Sequence, residues 1–374
     1  MRVRIAFYAP LKPPTHVTPS GDRRVAGLFM DALERFADKV ELVSTFRSFD
    51  GDGDLARQEA LRHQGERLAS RMIEQWRAAP DTRPDLWFTY HVYYKAPDWL
   101  GPAVSAALGI PYVIAEASHA QKRAGGPWAL GHDAAASAIG AARLVISPSR
   151  DDVEGLKALV APQRIVHLPP FLDATPYRAA ARKRSAHRAR LAKRHGLDSA
   201  APWIVVAAMM RAGDKLRSFR ALATALAEVA DLPWSLLVAG DGAVRGEVEA
   251  ALEDAVPGRT AFLGALATRE VAELYAAGDL YAWPAVNEAY GMAMLEAQAA
   301  GLPVVSVATR GVPDVVVDRR TGLLAEESIA APLRELLVDS QRRVELGRNA
   351  KDYIAAERSL DAAASRLKNL LGSL

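Results

Sequence analysis

The chain has 374 residues, and its 47 Lys and Arg against 44 Asp and Glu leave a net charge of +3. That balance is too mild to argue for nucleic acid as a partner. The absence of Cys excludes a disulfide framework, a thiolate metal site and a cysteine nucleophile. Half of the residues are hydrophobic, enough to bury the cores of two domains of ordinary size. No charge-free apolar run reaches the roughly 18 residues of a transmembrane helix. The opening MRVRIAFYAP reads as a first strand rather than a signal peptide. A soluble cytoplasmic enzyme is the expectation.

Val3, Ile5 and Phe7 mark that first strand, and a loop with Pro10, Pro13, Pro14 and Pro19 follows. The next segment places Val25, Leu28, Phe29, Ala32, Leu33 and Phe36 at helical spacing. A strand is predicted over 40–43, so the chain opens as a parallel α/β sheet. Between loop and helix, Ser20–Gly21–Asp22 reads as a helix N-cap. Residues 47–84 read as charged and helical. Their DGDGD, residues 50–54, is a solvated turn before it is a calcium loop, because a distant Glu ligand is missing.

A strand over 86–90 runs into Tyr90, His91, Tyr93, Tyr94 and Lys95, which suit either stacking on a sugar or lipid or a place in the core. The apolar strand over 112–115 is followed by Glu116, Ala117, Ser118 and His119. Strand ends of open α/β sheets face a ligand crevice, which makes His119 a site candidate. A strand over 144–147 closes this half. The double proline of HLPPFLD, residues 167–173, marks a change of character. The expected domains are 1–165 and 166–356, with a last helix over 357–374 packing back on the first. Residues 178–195 carry Arg178, Arg182, Lys183, Arg184, Arg188, Arg190, Lys193 and Arg194 and no acid. Such a run suits either a solvated helix or electrostatic contact with an anionic membrane.

The second half alternates again, with strands over 203–208, 236–239, 261–264, 280–283 and 304–307. Arg211, Asp214 and Lys215 follow the first of these. Helices are expected over 329–338, 341–356 and 360–371. After the strand over 280–283 come Pro284, a polar turn with Asn287 and Glu288, then Gly291 and a helix containing Glu296. Strand, glycine turn and helix aim backbone N–H groups and a positive dipole end at an anion. Two carboxylates beside such a site repel phosphate but accept hydroxyl hydrogen bonds. That is the chemistry of a nucleotide sugar, with hydroxyls on both sides of its phosphates.

The stretch PAVNEAYGMAMLEAQAAGLPVV, residues 284–305, resembles the signature of family-4 retaining glycosyltransferases of the GT-B fold, P-S-x-x-E-G-F-G-x-x-x-x-E-A-x-A-x-G-x-P-V-V. The resemblance implies an α/β chain of two Rossmann-like domains facing across a cleft. It also implies transfer of a sugar, with retention, from a nucleotide-sugar donor to a glycan or lipid-linked acceptor. Carried over residue by residue, Lys215 and an arginine grip the diphosphate. The family arginine position falls on Met209, and Arg211 is the candidate in its place. Ala289, Tyr290, Gly291 and Met292 face the phosphates, Glu296 takes the ribose and Glu288 the sugar. His119 touches the sugar from the other domain. Gly21 keeps one glycine of a family pair whose second member is Asp22 here. No D-x-D sits at a strand end, so neither a metal nor any other cofactor is expected. Alternatives on the same fold are a nucleotide-sugar epimerase, a sugar phosphorylase or a non-catalytic nucleotide-sugar binder. The lack of a G-x-G-x-x-G after the first strand argues against a dehydrogenase.

Overall fold

The computed structural model describes residues 3–18 and 20–374. Pro19 of the proline-rich loop lies outside the described residues. The chain forms two compact units, Met1–Pro169 with Leu360–Leu374, and Pro170–Ser359.

The first unit runs β1 (Arg4–Tyr8), α1 (Gly21–Glu34), β2 (Lys39–Ser44), α2 (Leu55–Ala78), β3 (Leu86–Val92), α3 (Gly101–Leu108), β4 (Tyr112–Ala117), α4 (Ala129–Ala141), β5 (Leu144–Ser147), α5 (Val153–Lys157) and β6 (Ile165–His167). The second runs α6 (Thr175–Ala181), α7 (Arg184–His195), β7 (Trp203–Ala207), α8 (Asp214–Ala227), β8 (Ser235–Ala239), α9 (Arg245–Ala255), β9 (Thr260–Gly264), α10 (Thr268–Ala277), β10 (Leu280–Trp283), α11 (Met292–Ala300), β11 (Val304–Val307), α12 (Val312–Val315), β12 (Gly322–Ala325), α13 (Ala330–Val338) and α14 (Ser340–Tyr353). A π-helical turn, Ile354–Arg358, then leads to α15 (Leu360–Leu371). This last helix packs on α1 of the first unit.

Each unit holds one parallel six-stranded sheet, ordered β2-β1-β3-β4-β5-β6 and β12-β11-β10-β7-β8-β9. Helices cover both faces, so the central strands read as continuous apolar runs rather than alternating ones. In β4, Tyr112, Val113, Ile114 and Ala115 are all buried, as are Ile204, Val205 and Val206 of β7. This is the α/β, GT-B class expected from the sequence, two Rossmann-like domains in one chain.

Several local expectations change. Strand β3 continues two residues past 90, and the Tyr90 ring stacks against Phe29 inside the core. Tyr90 therefore offers no exposed face to a sugar. The sixth strand β6, only three half-buried residues, falls where the domain boundary was expected; the division follows it instead. The helix expected from 47 begins at 55, because the DGDGD run makes a turn and a cap. Asp50 accepts the amides of Asp52 and Gly53, and Asp54 accepts those of Ala56 and Arg57.

The basic run divides in two. Arg188 donates to Asp279 at 2.9 Å and to the carbonyls of Ala277, Ala201 and Ser199. Arg184 reaches Asp279 at 2.6 Å and the carbonyls of Ala276 and Gly278. Asp279 also accepts the Trp203 amide at the start of β7. These two arginines tie α7 to α10 and β7, and Arg190 pairs with Glu273. Arg178, Arg182, Lys183, Lys193 and Arg194 remain exposed.

Candidate active site

In the second sheet the chain leaves β7 toward β8 and β9 on one side, then returns to β10, β11 and β12 on the other. The order reverses between β7 and β10, and ligands of open α/β sheets bind beyond the strand ends at that reversal. The two loops that meet there are 208–213 and 284–291. Lys215, in the first turn of α8, points from one; Glu288 comes from the other. Lys215 Nζ lies 2.6 Å from Glu288 Oε2 and 5.4 Å from the centre of the Trp283 ring.

The loop over 284–291 is held in an unusual form. Ala285 and Asn287 both have left-handed backbones, at φ 59° and 55°. Such residues persist only where their surroundings fix them. Here Ser218 accepts the Val286 amide at 3.0 Å, and Asn287 donates to Asp214 at 2.9 Å while accepting from Arg310 at 2.8 Å. Gly291 follows at φ 65° as the N-cap of α11, a conformation cheap only for glycine. Its amide approaches Glu288 Oε1 at 3.4 Å. The amides of Met292 and Ala293 come next, in the first turn, where a helix has no carbonyl of its own to offer them. Gly311 completes the loop, because a Cβ there would collide with the Ala289 carbonyl.

Glu296 is buried on α11. The Tyr281 hydroxyl is held well above the usual phenol range by burial and then by the charges of Glu288 and Glu296. Both carboxylates therefore act on one buried point of β10. The arrangement joins a cation, unfilled amides at a helix N-terminus and two carboxylates.

Lys215, Glu288, Ala289, Tyr290, Gly291, Met292 and Glu296 are thus gathered at one strand-end region. Arg211 is exposed and has no side-chain partner among the described residues. His119 and Gly21 belong to the first unit. His119 Nε2 lies 3.3 Å from Gln121 Oε1, and its ring stacks on His132 at 4.8 Å. Burial, with the His132 charge adding to it, lowers its pKa despite the Gln121 bond. Gly21 opens α1, where Ser20 caps by accepting the Arg23 amide. A Cβ at Gly21 would meet nothing within 4 Å, so the glycine has no steric cause there. Sequence reasoning missed Asp214, Ser218 and Arg310 as the clamps of the loop. Asn287, noted only as a turn residue, proves to be the shared partner of Asp214 and Arg310, while Ser218 holds the Val286 amide beside it.

Residues 201–339 match the family model described as Glycosyl transferases group 1. The second unit carries a glycosyl transferases group 1 domain. The matched span contains every element of the β7–β10 site, from Lys215 to Arg310. The chain is 40% identical over 113 residues to a D-inositol 3-phosphate glycosyltransferase of Corynebacterium aurimucosum, covering 29% of this chain and 27% of that protein. It is 34% identical over 149 residues to a GDP-mannose-dependent monoacylated alpha-(1-6)-phosphatidylinositol monomannoside mannosyltransferase of Corynebacterium glutamicum, covering 37% of this chain and 39% of that one. The match thus spans between a quarter and two fifths of these curated relatives. The whole fold is similar to Anabaena HepE crystallised with UDP, with TM-score 0.72 at 17% identity over 100% of both chains. It is also similar to a glycosyltransferase of Rickettsia africae, with TM-score 0.74 at 12% identity over 100% of this chain and 98% of that one. At these identities the likenesses show a shared fold over the whole chain.

Proposed function

We propose that this chain is a retaining glycosyltransferase. It moves a sugar from a nucleotide-sugar donor to a polyol or lipid-linked glycan acceptor. The observation that carries the reading is the Lys215–Glu288 pair beside the α11 N-terminus, at the sheet reversal of a group 1 domain. A diphosphate there meets the Lys215 ammonium and the amides of Gly291, Met292 and Ala293. Those fixed donors neutralise the charge that grows as the glycosidic bond breaks, without a metal at the phosphates. Glu296 accepts the ribose hydroxyls. Glu288, released by Lys215 when phosphate arrives, accepts from the sugar. His119, whose pKa burial lowers, is the residue that the family resemblance assigns to the sugar. Arg211 is a second cation for the diphosphate. The acceptor hydroxyl attacks the anomeric carbon on the face the diphosphate leaves, and its proton passes to the departing phosphate oxygen. Retention rests on the family resemblance. Relatives named for inositol 3-phosphate and for a phosphatidylinositol monomannoside support the acceptor class.

No described helix is long and apolar enough to cross a membrane. The protein works in the cytoplasm, and the exposed cations of α6, α7 and the turn between them dock on anionic lipid. Each basic residue near such a surface contributes about 1 kcal/mol. Binding to anionic vesicles at low salt, lost when Arg182, Lys183, Lys193 and Arg194 become Gln, is the expected result. No binding at low salt removes the membrane contact.

The activity is tested by incubating the chain with a panel of nucleotide sugars and measuring free nucleoside diphosphate. Release that depends on an added polyol or lipid-linked acceptor is expected. An isomerised donor without release identifies an epimerase instead. Donor binding without turnover, across every acceptor pool, identifies a binding protein.

A further inference from the structure

The first sheet has its own reversal, between β1 and β3. Three chemistry-bearing side chains converge there from three elements: Asp22 from the first turn of α1, His91 from the end of β3 and Glu116 from the end of β4. His91 Nδ1 lies 3.1 Å from Asp22 Oδ1 and 3.3 Å from Glu116 Oε1. All three donor atoms fall within 4.8 Å of one another, the one such group among the described residues. We propose that Asp22, His91 and Glu116, all of the first unit, form a binding site for a divalent transition-metal ion of the Zn2+ class.

An ion pair alone accounts poorly for this geometry. The imidazole nitrogen carries at most one hydrogen, yet two carboxylate oxygens crowd it. One proton serves one of them well. A cation at the centre serves all three donors. Metal bonds of about 2.0–2.1 Å to nitrogen and oxygen set neighbouring donors of a tetrahedral site about 3.3 Å apart, close to both observed separations. Glu116 Oε2 is itself buried, and the buried Tyr90 hydroxyl bears on the same carboxylate, which fixes it at the end of β4. With neutral imidazole the donors carry two negative charges, which a divalent ion balances. One imidazole and two carboxylates suit Zn2+ better than the all-oxygen sets of Mg2+ or Ca2+. Three protein donors leave the remaining positions to water or a substrate hydroxyl.

The surroundings hold the donors in place. His91 and Glu116 both have left-handed backbones, φ 66° and 60°, at matching positions between the Tyr90–Ala115 and Val92–Ala117 pairs. The Tyr93 ring lies 5.0 Å from the imidazole and covers it.

The test is calorimetry and equilibrium dialysis of the full chain, freed of metal by chelator, against ZnCl2. Co2+ serves as a spectroscopic probe. One Zn2+ per chain is expected, with Co2+ giving the visible bands of a low-coordinate nitrogen–oxygen site. His91→Ala and Glu116→Gln should each weaken binding at least tenfold and abolish the bands. Asp22→Ala, at the exposed start of α1, gives a variant that leaves the sheet untouched and should also lose affinity. His119→Ala should bind as wild type does. No saturable binding, or binding unchanged in Asp22→Ala and in the folded member of the other two, overturns the site.

Discussion

Glu288 and Glu296 are chemically alike and lie eight residues apart, but their surroundings separate their work. Glu296 is buried on α11, while Glu288 is ion-paired to a lysine that a phosphate can claim. Glu296→Gln should therefore weaken free nucleoside diphosphate as well as donor. A hydrogen bond to a charged group contributes about 1.5–3 kcal/mol, so a loss of about tenfold or more is expected. Glu288→Gln should spare the free nucleotide and lower turnover of the intact donor. Equal effects of the two variants on nucleotide affinity count against this division. A different carboxylate supports the first unit. Asp98 accepts from Thr89, Tyr112 and the amides of Leu100 and Gly101, all buried. Burial raises its pKa despite those four donors. The folded state then holds its proton at pH values where the unfolded chain has released it. Stability from this group is greatest in acid and falls as pH rises from the ordinary carboxylate range through the raised value. Asp98→Asn removes that slope. Urea midpoints of wild type and variant, measured between about pH 4 and 7, should diverge in the variant's favour with rising pH; parallel curves would show that Asp98 titrates normally.

The elements of the second unit are joined by a few charges rather than by apolar contact alone. Asp279, at the entry to β10, gathers Arg184, Arg188 and the first amide of β7. Removing one partner of a mostly buried pair leaves the others uncompensated, at about 3–5 kcal/mol. Asp279→Ala should therefore lower the thermal midpoint strongly, whereas Arg182→Ala, on the exposed face, should change it little. Similar midpoints for both would mean that the Asp279 cluster is solvated. Much at this scale was legible in the sequence. Apolar runs such as 203–208 and 280–283 announce parallel strands, and the spacing of Leu222, Ala223 and Leu226 announces the helix between β7 and β8. What was not legible has a common cause. The acid-free run 178–195 looked like one surface because its partner Asp279 is distant in the chain and hidden by the fold. The three residues of β6 are too few to show a period. Asp214, Ser218 and Arg310 clamp the 284–291 loop only because parallel topology brings their strand ends together.

At the scale of the whole molecule, two units of the same build carry different chemistry at their sheet reversals. The second presents a lysine, free amides and two carboxylates; the first presents an imidazole between two carboxylates. The motif over 284–305 made the second site readable, since its residues are contiguous and only Lys215 comes from afar. The first site was unreadable, because Asp22, His91 and Glu116 share no local pattern. The central claim is that the second unit holds a diphosphate through Lys215 and the start of α11. Isothermal calorimetry of wild type and Lys215→Ala, with nucleoside diphosphate and bare nucleoside side by side, tests it most directly. The account predicts that the variant loses diphosphate affinity by about tenfold or more, as expected for a charge-assisted contact, while nucleoside affinity stays the same. Equal diphosphate affinity in the two proteins would contradict it.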